Sequence, residues 1–317
     1  MVARKKILEK RKMNNFELAD YYKEIRKSDY YNGKELKLVG LRKIIHPLAL
    51  GALKTKRIIE RNKLEILADN RKKKNEKPII FAMNHIGKFD VEMASEAIKD
   101  HFYILFGDPE QLYRTIEHYF LVTNGVLYFD VYDKEDKFIA KERVIELLKK
   151  HINILWAPEG TWNLTPNRIV LPVHYGIIEA AIRSNSVIIP VVVEQYGKKY
   201  IVNIGKEFDV IDYFGKYNSD EELKIQAIED LRNQMATLVW DIWETKPIVA
   251  RDSIPNDYYE NYLQEQLAGW EAFEKDNIDR RVYNVFRGKK TQDYSDVLKI
   301  NIKNSDDVVK KMSYKLN

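Results

Sequence analysis

Short apolar runs of strand length alternate with amphipathic segments through the middle of this chain, and this alternation limits the possible folds most. Helical patterns follow Asp90 and cover residues 134–151 and 173–185. The apolar runs are PIIFAMN (78–84), YILFG (103–107), VLYFDVY (126–132), INILWAPEG (152–160), SVIIPVVVEQY (186–196) and KYIVNIGKEF (199–208). Strands that alternate with helices at this spacing predict an α/β fold with a mixed sheet flanked by helices.

The chain on either side of this region has a different character. Its first quarter is basic and helical in pattern, and beyond about residue 216 two long amphipathic patterns are rich in aromatic residues. We therefore predict a basic helical N-terminal region (1–77), an α/β core (78–215) and a helical C-terminal extension (216–317). At 317 residues the chain is long enough to bury a core of this size.

One segment of the N-terminal region is strongly amphipathic. Residues 36–54 combine leucine, isoleucine and valine with lysine and arginine, a pattern that predicts basic amphipathic helices broken near Pro47. Residues 55–77 continue a basic helical pattern. The apolar side of 36–54 either dips into the headgroup region of a bilayer or packs on the protein's own core, and the sequence leaves both open.

The basic charge of the chain is confined to the N-terminal region. The net charge is +5, but residues 1–77 hold 23 Lys and Arg against 10 Asp and Glu, so the remainder is acidic. Such a block is attracted to nucleic acid or to an anionic bilayer, or is a solvated helix face. Because no zinc, RNA-platform or helix-turn-helix signature accompanies it, we expect no nucleic-acid partner and favour a membrane surface.

Several classes of protein are disfavoured by what the sequence lacks. The absence of cysteine excludes a disulfide framework, a cysteine nucleophile and a thiolate metal site. No His and carboxylate cluster has metal-ligand spacing, so we expect no metal and no bound cofactor. There is no signal-peptide pattern and no run of about 18 apolar residues. These features predict a cytoplasmic protein, peripheral at the inner face of the cell membrane.

The first motif with chemical potential is AMNHIGKFD, in which Asn84, His85 and Asp90 follow a strand-like run. A carboxylate five positions after a histidine, across a strand-to-helix turn, accepts from one ring nitrogen. The other nitrogen is then a base for a hydroxyl proton. A single histidine is more often a surface or packed residue, so this motif alone is weak.

The second motif is LWAPEGTWN, in which Glu159, Gly160 and Thr161 follow another strand-like run. Backbone N–H groups at a glycine turn, beside a hydroxyl and a carboxylate, suit the binding of phosphate or a polar headgroup. The same letters also describe an ordinary turn.

Together, in this order and about 70 residues apart, the two motifs resemble the signatures of the glycerolipid acyltransferases, the family of glycerol-3-phosphate and 1-acylglycerol-3-phosphate acyltransferases. Asn-His-x4-Asp is matched at residues 84–90 and Pro-Glu-Gly-Thr at 158–161. A glycine before an apolar strand appears at Gly125, and a late apolar strand containing a proline appears at Pro190. The resemblance covers residues 36–210.

The resemblance implies catalytic roles for His85 and Asp90. It implies substrate-binding roles for a second set of residues, namely Asn84, Gly125, Glu159, Gly160 and Thr161. The expected reaction moves an acyl group from acyl-CoA or acyl carrier protein to a hydroxyl of a lipid-related acceptor in phospholipid biosynthesis. Backbone N–H groups near Gly87 or Gly160 are candidates for stabilising the oxyanion.

Two departures from the family pattern concern the acceptor. Val131 and Trp162 stand where the family usually has arginines associated with the acceptor's phosphate. Since arginine binds phosphate oxygens in a bidentate manner, their loss weakens the case for glycerol phosphate or lysophospholipid and leaves hydroxylated amino-acid lipids and sugars open. Lysines and arginines elsewhere are candidates to compensate: Lys88, Lys134, Lys137 and Arg168. A thioesterase-like hydrolase and a non-enzymatic membrane-binding protein are the alternative functions.

Overall fold

A computed structural model of the chain describes residue 10 and residues 12–72, 76–107, 113–164, 168–247 and 251–267. Its α-helices are α1 (Asn15–Tyr31), α2 (Val39–Ile59), α3 (Asp90–Ile98), α4 (Ile116–Asn124), α5 (Lys134–Lys149), α6 (Gly176–Ser184), α7 (Asp220–Glu244) and α8 (Tyr258–Leu267). Its strands are β1 (Lys63–Asp69), β2 (Ile79–Met83), β3 (Phe102–Gly107), β4 (Val126–Phe129), β5 (Asn153–Trp156), β6 (Val187–Tyr196) and β7 (Lys199–Ile204). Short 3-10 helices cover Val210–Tyr213 and Arg251–Ser253.

The strands of the described residues form one mixed sheet in the order β1-β7-β6-β2-β5-β3-β4. β6 and β7 pair antiparallel, and the other neighbours pair parallel. The apolar, largely β-branched residues of β6 are buried along most of its length, as expected for a strand covered on both faces. Because β2 and β5 are parallel neighbours, the loops that follow them leave the same edge of the sheet.

Helices cover both faces of this sheet, and the side chains of β2 show how. Ile80 and Ala82 face a core layer shared with α5, α6 and α7. Phe81 and Met83 face the opposite layer, shared with α3 and α4. This alternation follows from the two-residue period of a strand, and it gives the sheet an apolar layer on each side.

The predicted α/β fold is therefore confirmed, and each of the six predicted strands is present with ends shifted by a few residues. The predicted helices after Asp90, over 134–151 and over 173–185 are also present, whereas α4 had no predicted counterpart. In the C-terminal extension α7 and α8 are helical. Residues 268–317 lie outside the described residues.

The helical prediction for residues 55–77 is wrong in its centre. The helix ends at Ile59, Arg61 has a left-handed backbone with φ of 61°, and β1 follows. β1 pairs in parallel with β7, from Lys63 opposite Lys199 onward. Pairing with a strand far along the chain outweighed the local helical pattern, and the charged residues of this half-exposed edge strand concealed its strand character. The division into three regions stays a prediction.

The predicted break near Pro47 is also wrong, because α2 runs without interruption through that residue. Proline has no N–H to donate to the carbonyl four residues earlier. Both Pro47 and Lys43 are exposed, so the carbonyl that the proline leaves unpaired lies on the solvent side of the helix, where a proline is tolerated best. Among the described residues, the helices are all too short or too polar to qualify as a span across a membrane.

Candidate active site

Two loops from separate parts of the chain meet at the carboxyl edge of the sheet. In the central strands Ala82 lies opposite Trp156, so the loops after β2 and β5 emerge side by side. The backbone N–H of Asn163 donates to the carbonyl oxygen of His85 at 2.5 Å. This hydrogen bond ties the two predicted motifs to each other in one site.

His85 and Asp90 form a hydrogen-bonded pair in this site. The ring nitrogen Nδ1 of His85 lies 2.8 Å from Oδ2 of Asp90. The Asp90 side chain is fully buried, and that of His85 is 16% exposed. A buried carboxylate on Nδ1 orients the ring and leaves Nε2 as the nitrogen for a proton. The contact expected from the sequence is therefore present, while the catalytic role of the pair stays a prediction.

The carboxylate of Asp90 also shapes the loop that carries His85. Its Oδ2 accepts from the backbone N–H groups of Ile86 at 2.5 Å and Gly87 at 2.9 Å. Its Oδ1 accepts from the N–H of Val91 at 2.6 Å. N–H groups at the start of a helix lack partners within the helix and favour a negative charge nearby. The strand-loop-helix therefore holds the carboxylate in place before any substrate arrives.

The same hydrogen bonds correct the prediction for the oxyanion. The N–H of Gly87 is donated to Asp90, and the N–H of Gly160 is donated to the carbonyl of Ala157 at 3.1 Å. Neither group is available to a tetrahedral intermediate in this conformation. The hydroxyl of Thr161 is buried and has no hydrogen-bond partner within the described part of the chain, so it is the better-placed donor.

Asn84 joins two strands rather than facing an open cleft. Its Nδ2 donates to the carbonyl of Val193 at 3.0 Å, and its Oδ1 accepts from the N–H of the same residue at 2.7 Å. The side chain is buried. This arrangement extends the pairing of β2 with β6 and positions the residue before His85, so substrate binding by Asn84 stays a prediction.

The second motif forms a compact turn beside His85. Glu159 is fully buried and accepts through Oε2 from the N–H of Leu171 at 3.3 Å. Gly160 has φ of 71°, and a Cβ there would lie 2.9 Å from Nε2 of His174. Glycine is therefore required both by the left-handed backbone and by the close approach of His174. Glu159 secures the turn that presents Thr161.

Gly125 is not brought to His85. It precedes β4 and so lies at the amino end of that strand, whereas His85 follows the carboxyl end of β2. Its φ is 120°, and a Cβ would come within 2.8 Å of the Tyr103 ring. Gly125 therefore has a structural reason to be glycine, because only glycine fits this close approach, and its role in substrate binding stays a prediction.

The two residues at the family's arginine positions occupy very different places. Val131 follows β4, three strands from β2 and roughly 14 Å along the sheet edge. Trp162 is buried, and its Nε1 lies 2.6 Å from Nε2 of His85. From the sequence, Trp162 was singled out only because the family usually has an arginine at its position. Its position directly after the Pro-Glu-Gly-Thr motif was the signal that it belongs to the site.

Of the four cations considered as replacements, two lie near the site. Lys88 stands in the loop between His85 and Asp90, and the carbonyl of Arg168 accepts from the side chain of Asn163 at 2.9 Å. Lys134 and Lys137 are exposed on the first turn of α5, after the edge strand β4. Across the described residues no group of three or more His, Asp or Glu side chains is arranged to hold a metal.

The C-terminal extension contributes a residue that no sequence pattern indicated. Burial in the protein, together with the neighbouring carboxylates of Glu194 and Asp90, raises the pKa of Tyr262. Tyr262, in α8, therefore lies within electrostatic range of the carboxylate that orients His85. Tyr262 lies about 170 residues beyond Asp90 in the sequence.

Part of the chain matches a known protein family. Residues 65–194 match the family model described as Acyltransferase. This part of the chain, which includes both motifs, is therefore similar to the acyltransferase family. The crystal structure of 1-acyl-sn-glycerophosphate acyltransferase from Thermotoga maritima is similar, with 17% identity and a TM-score of 0.49, over 74% of this chain and 97% of that one. No curated protein matches the chain by sequence.

Proposed function

We propose that the chain transfers an acyl group from a thioester, acyl-CoA or acyl carrier protein, to a hydroxyl of a lipid-related acceptor. The observation that carries this proposal is the 2.8 Å contact between His85 Nδ1 and Asp90 Oδ2 within an acyltransferase-family domain. The tie between His85 and the loop of Thr161 supports it, since a base and a polar binding turn are needed in one place.

In the proposed mechanism His85 is the general base. Its Nε2 takes the proton of the acceptor hydroxyl while Asp90 holds the ring and stabilises its positive charge. The hydroxyl oxygen attacks the thioester carbon, the carbon–oxygen bond forms and the carbon–sulfur bond breaks. The proton then passes from Nε2 to the departing sulfur. The buried hydroxyl of Thr161 is the proposed hydrogen-bond donor to the oxyanion.

The acceptor class follows from what stands around the base. Valine and tryptophan at positions 131 and 162 provide no bidentate phosphate contact, which weighs against glycerol phosphate. Lys88 stands in the loop between His85 and Asp90, and the backbone of Arg168 is hydrogen-bonded to Asn163. We therefore place other lipids with a free hydroxyl, such as hydroxylated amino-acid lipids, ahead of glycerol phosphate and lysophospholipids as acceptors.

We further propose that α2 docks on an anionic bilayer. The side chains of Leu41, Ile44 and Leu48 are 50%, 75% and 77% exposed, and Lys43 and Lys54 are exposed beside them. An apolar stripe flanked by lysines suits the interface between headgroups and acyl chains. Lysines also suit an acidic acyl carrier protein, which makes that protein the competing partner.

The same helix lies close to the site. Lys56 pairs with Glu92 at 2.6 Å and Arg57 with Glu96 at 2.9 Å. Both glutamates belong to α3, the helix that begins at Asp90. A bilayer beneath α2 would therefore lie next to the helix that carries the carboxylate of the pair.

The test is product analysis by mass spectrometry. Purified protein receives an isotopically labelled acyl-CoA or acyl carrier protein together with total lipid extract. We expect a labelled acyl lipid from the wild type, and about 100-fold to 10,000-fold less from His85→Ala, which lacks the base. Normal turnover in His85→Ala would overturn the mechanism.

A hydrolase is the alternative, because water can replace the alcohol beside the same base. Thiol release is therefore followed with and without the lipid extract. Release that depends on added lipid supports the transferase. Equal release without lipid, and no labelled lipid, would assign the site to thioester hydrolysis instead.

A further inference from the structure

Nε2 of His85, the nitrogen that the reaction needs, is already occupied. The indole Nε1 of Trp162 lies 2.6 Å from it, with the two rings nearly perpendicular at 79°. An indole N–H can only donate, so Nε2 must be the acceptor and carry the lone pair. The proton is thereby assigned to Nδ1, where it is donated to Asp90. Trp162 and Asp90 select the same tautomer from opposite sides of the ring.

This contact has a second consequence for the base. A neutral imidazole nitrogen has one in-plane lone pair and accepts one strong hydrogen bond. The indole and an acceptor hydroxyl cannot both hold it. Trp162 is 6% exposed, and its buried ring occupies Nε2 of His85 in this conformation.

The backbone on either side of the indole is secured. The N–H of Asn163 donates to the carbonyl of His85, and its side chain donates to the carbonyls of Arg168 and Ile169. Uncovering His85 by moving this backbone would break all three hydrogen bonds. Rotation of the Trp162 side chain would break its hydrogen bond to Nε2 of His85 and leave these three backbone ties intact.

We propose that Trp162 is a side-chain gate on His85, which keeps the base in its reactive tautomer but closed to water until an acceptor hydroxyl displaces the indole. The proposal rests on the proposed function and deepens it. Closing the base to water in the absence of acceptor protects the thioester from hydrolysis. A hydrophobic ring that must move also favours an acceptor with an apolar body over a small polar alcohol.

The first test measures access to Nε2 directly. Diethyl pyrocarbonate modifies an unprotonated imidazole nitrogen, and peptide mass spectrometry follows each histidine separately in the full-length protein. In Trp162→Phe, which keeps an aromatic ring but loses the N–H, we expect His85 to react about tenfold faster, the factor for one hydrogen bond of average strength. The exposed His151 is the internal reference. An unchanged ratio of His85 to His151 overturns the gate.

A second measurement remains valid if Trp162→Phe folds poorly. In wild-type protein with ¹⁵N-labelled tryptophan, the Trp162 indole proton should resonate downfield because its hydrogen bond is short. His85→Ala should move it upfield, while the indole of Trp243, which donates to Glu194, should stay unchanged and so serves as the control. No movement of the Trp162 signal contradicts the contact.

Kinetics then separate a gate from a structural role. Trp162→Phe should hydrolyse acyl-CoA about tenfold faster without acceptor, while the acceptor KM falls by a similar factor because no indole contact must be broken. A structural defect would instead lower the rate of hydrolysis and the rate of acyl transfer together. If the wild type transfers no acyl group, the proposed function fails, but the carbethoxylation result still decides whether Trp162 covers His85.

Discussion

A single carboxylate organises the residues at the centre of the site. The Oδ2 atom of Asp90 accepts from His85 and from two backbone N–H groups, and Oδ1 accepts from a third. Asp90 is the acceptor in all four of these hydrogen bonds, and an ionised carboxylate can accept at both of its oxygens. Orientation of the His85 ring and folding of its loop therefore depend on one side chain.

Replacement of Asp90 by asparagine tests this dependence. The amide keeps one acceptor and turns the other into a donor, so either His85 adopts the wrong tautomer or a buried N–H loses its partner. We expect acyl transfer to fall by about 100-fold to 10,000-fold and the free energy of unfolding to fall by about 1–3 kcal/mol. Turnover and urea denaturation provide the two values. Asp212→Asn, at an exposed position, should change neither, and full activity of Asp90→Asn would refute the role.

At the scale of the element, α2 has one face that is buried in the protein and one apolar face that is exposed. His46, Ala49 and Leu53 are buried against the protein, at the helical spacing of one face. The stripe of Leu41, Ile44 and Leu48 faces outward. Packing on the core, one of the two interpretations that the sequence left open, explains the first face and leaves the second without a partner in the described residues.

The double variant Ile44→Glu with Leu48→Glu tests the outward stripe. Two charges there should weaken binding to vesicles with anionic lipid at least about tenfold, because each exposed side chain would otherwise bury apolar area in the interface. Vesicle sedimentation measures binding, and circular dichroism checks the fold. Ile211→Glu changes an exposed isoleucine on the other face of the sheet and should bind normally. Equal binding by all three proteins would exclude this face as the docking surface.

At the scale of the whole molecule, part of the basic N-terminal region is neutralised internally. Lys23, Arg26 and Lys27 of α1 pair with Asp130, Asp136 and Asp133 at 3.0, 2.6 and 2.7 Å. α1 is therefore attached by charge to the far edge of the sheet, beside β4 and α5. Its lysines and arginine are not available to a membrane in the way that those of α2 are.

This attachment predicts a pH dependence. The hydrogen bond from Lys27 lowers the pKa of Asp133 to about 2, below the ordinary value of about 3.9 for an aspartate. Because the pKa of Asp133 is lower in the folded state than in the unfolded state, the pair stabilises the fold fully above about pH 4. This stabilisation is lost as the pH falls towards 2. Hydrogen exchange of residues 15–31, relative to 187–196, should increase over that window.

The control for this prediction is Lys27→Met. Without the ammonium group, most of the pH dependence of exchange in α1 should disappear, and exchange at pH 6 should already be faster than in the wild type. The same rise in both proteins between pH 4 and 2 would show that Asp133 and Lys27 do not hold α1.

The sequence alone determined those features whose signals are local. Apolar runs such as 78–84 and 186–196 predicted strands because a buried strand needs apolar side chains on both faces. The spacing of His85 and Asp90 predicted their contact because five residues across one strand-to-helix turn leave few other arrangements.

Tertiary structure alone decided the features that join distant parts of the chain. β1 exists because it pairs with β7, and its own charged residues resembled a helix. The contact of Trp162 with His85 spans 77 positions. Such contacts depend on the packing of whole elements, which local propensity does not encode. The contact of His85 with Asp90 was therefore predictable from the sequence, whereas the contact of His85 with Trp162 was visible only in the fold.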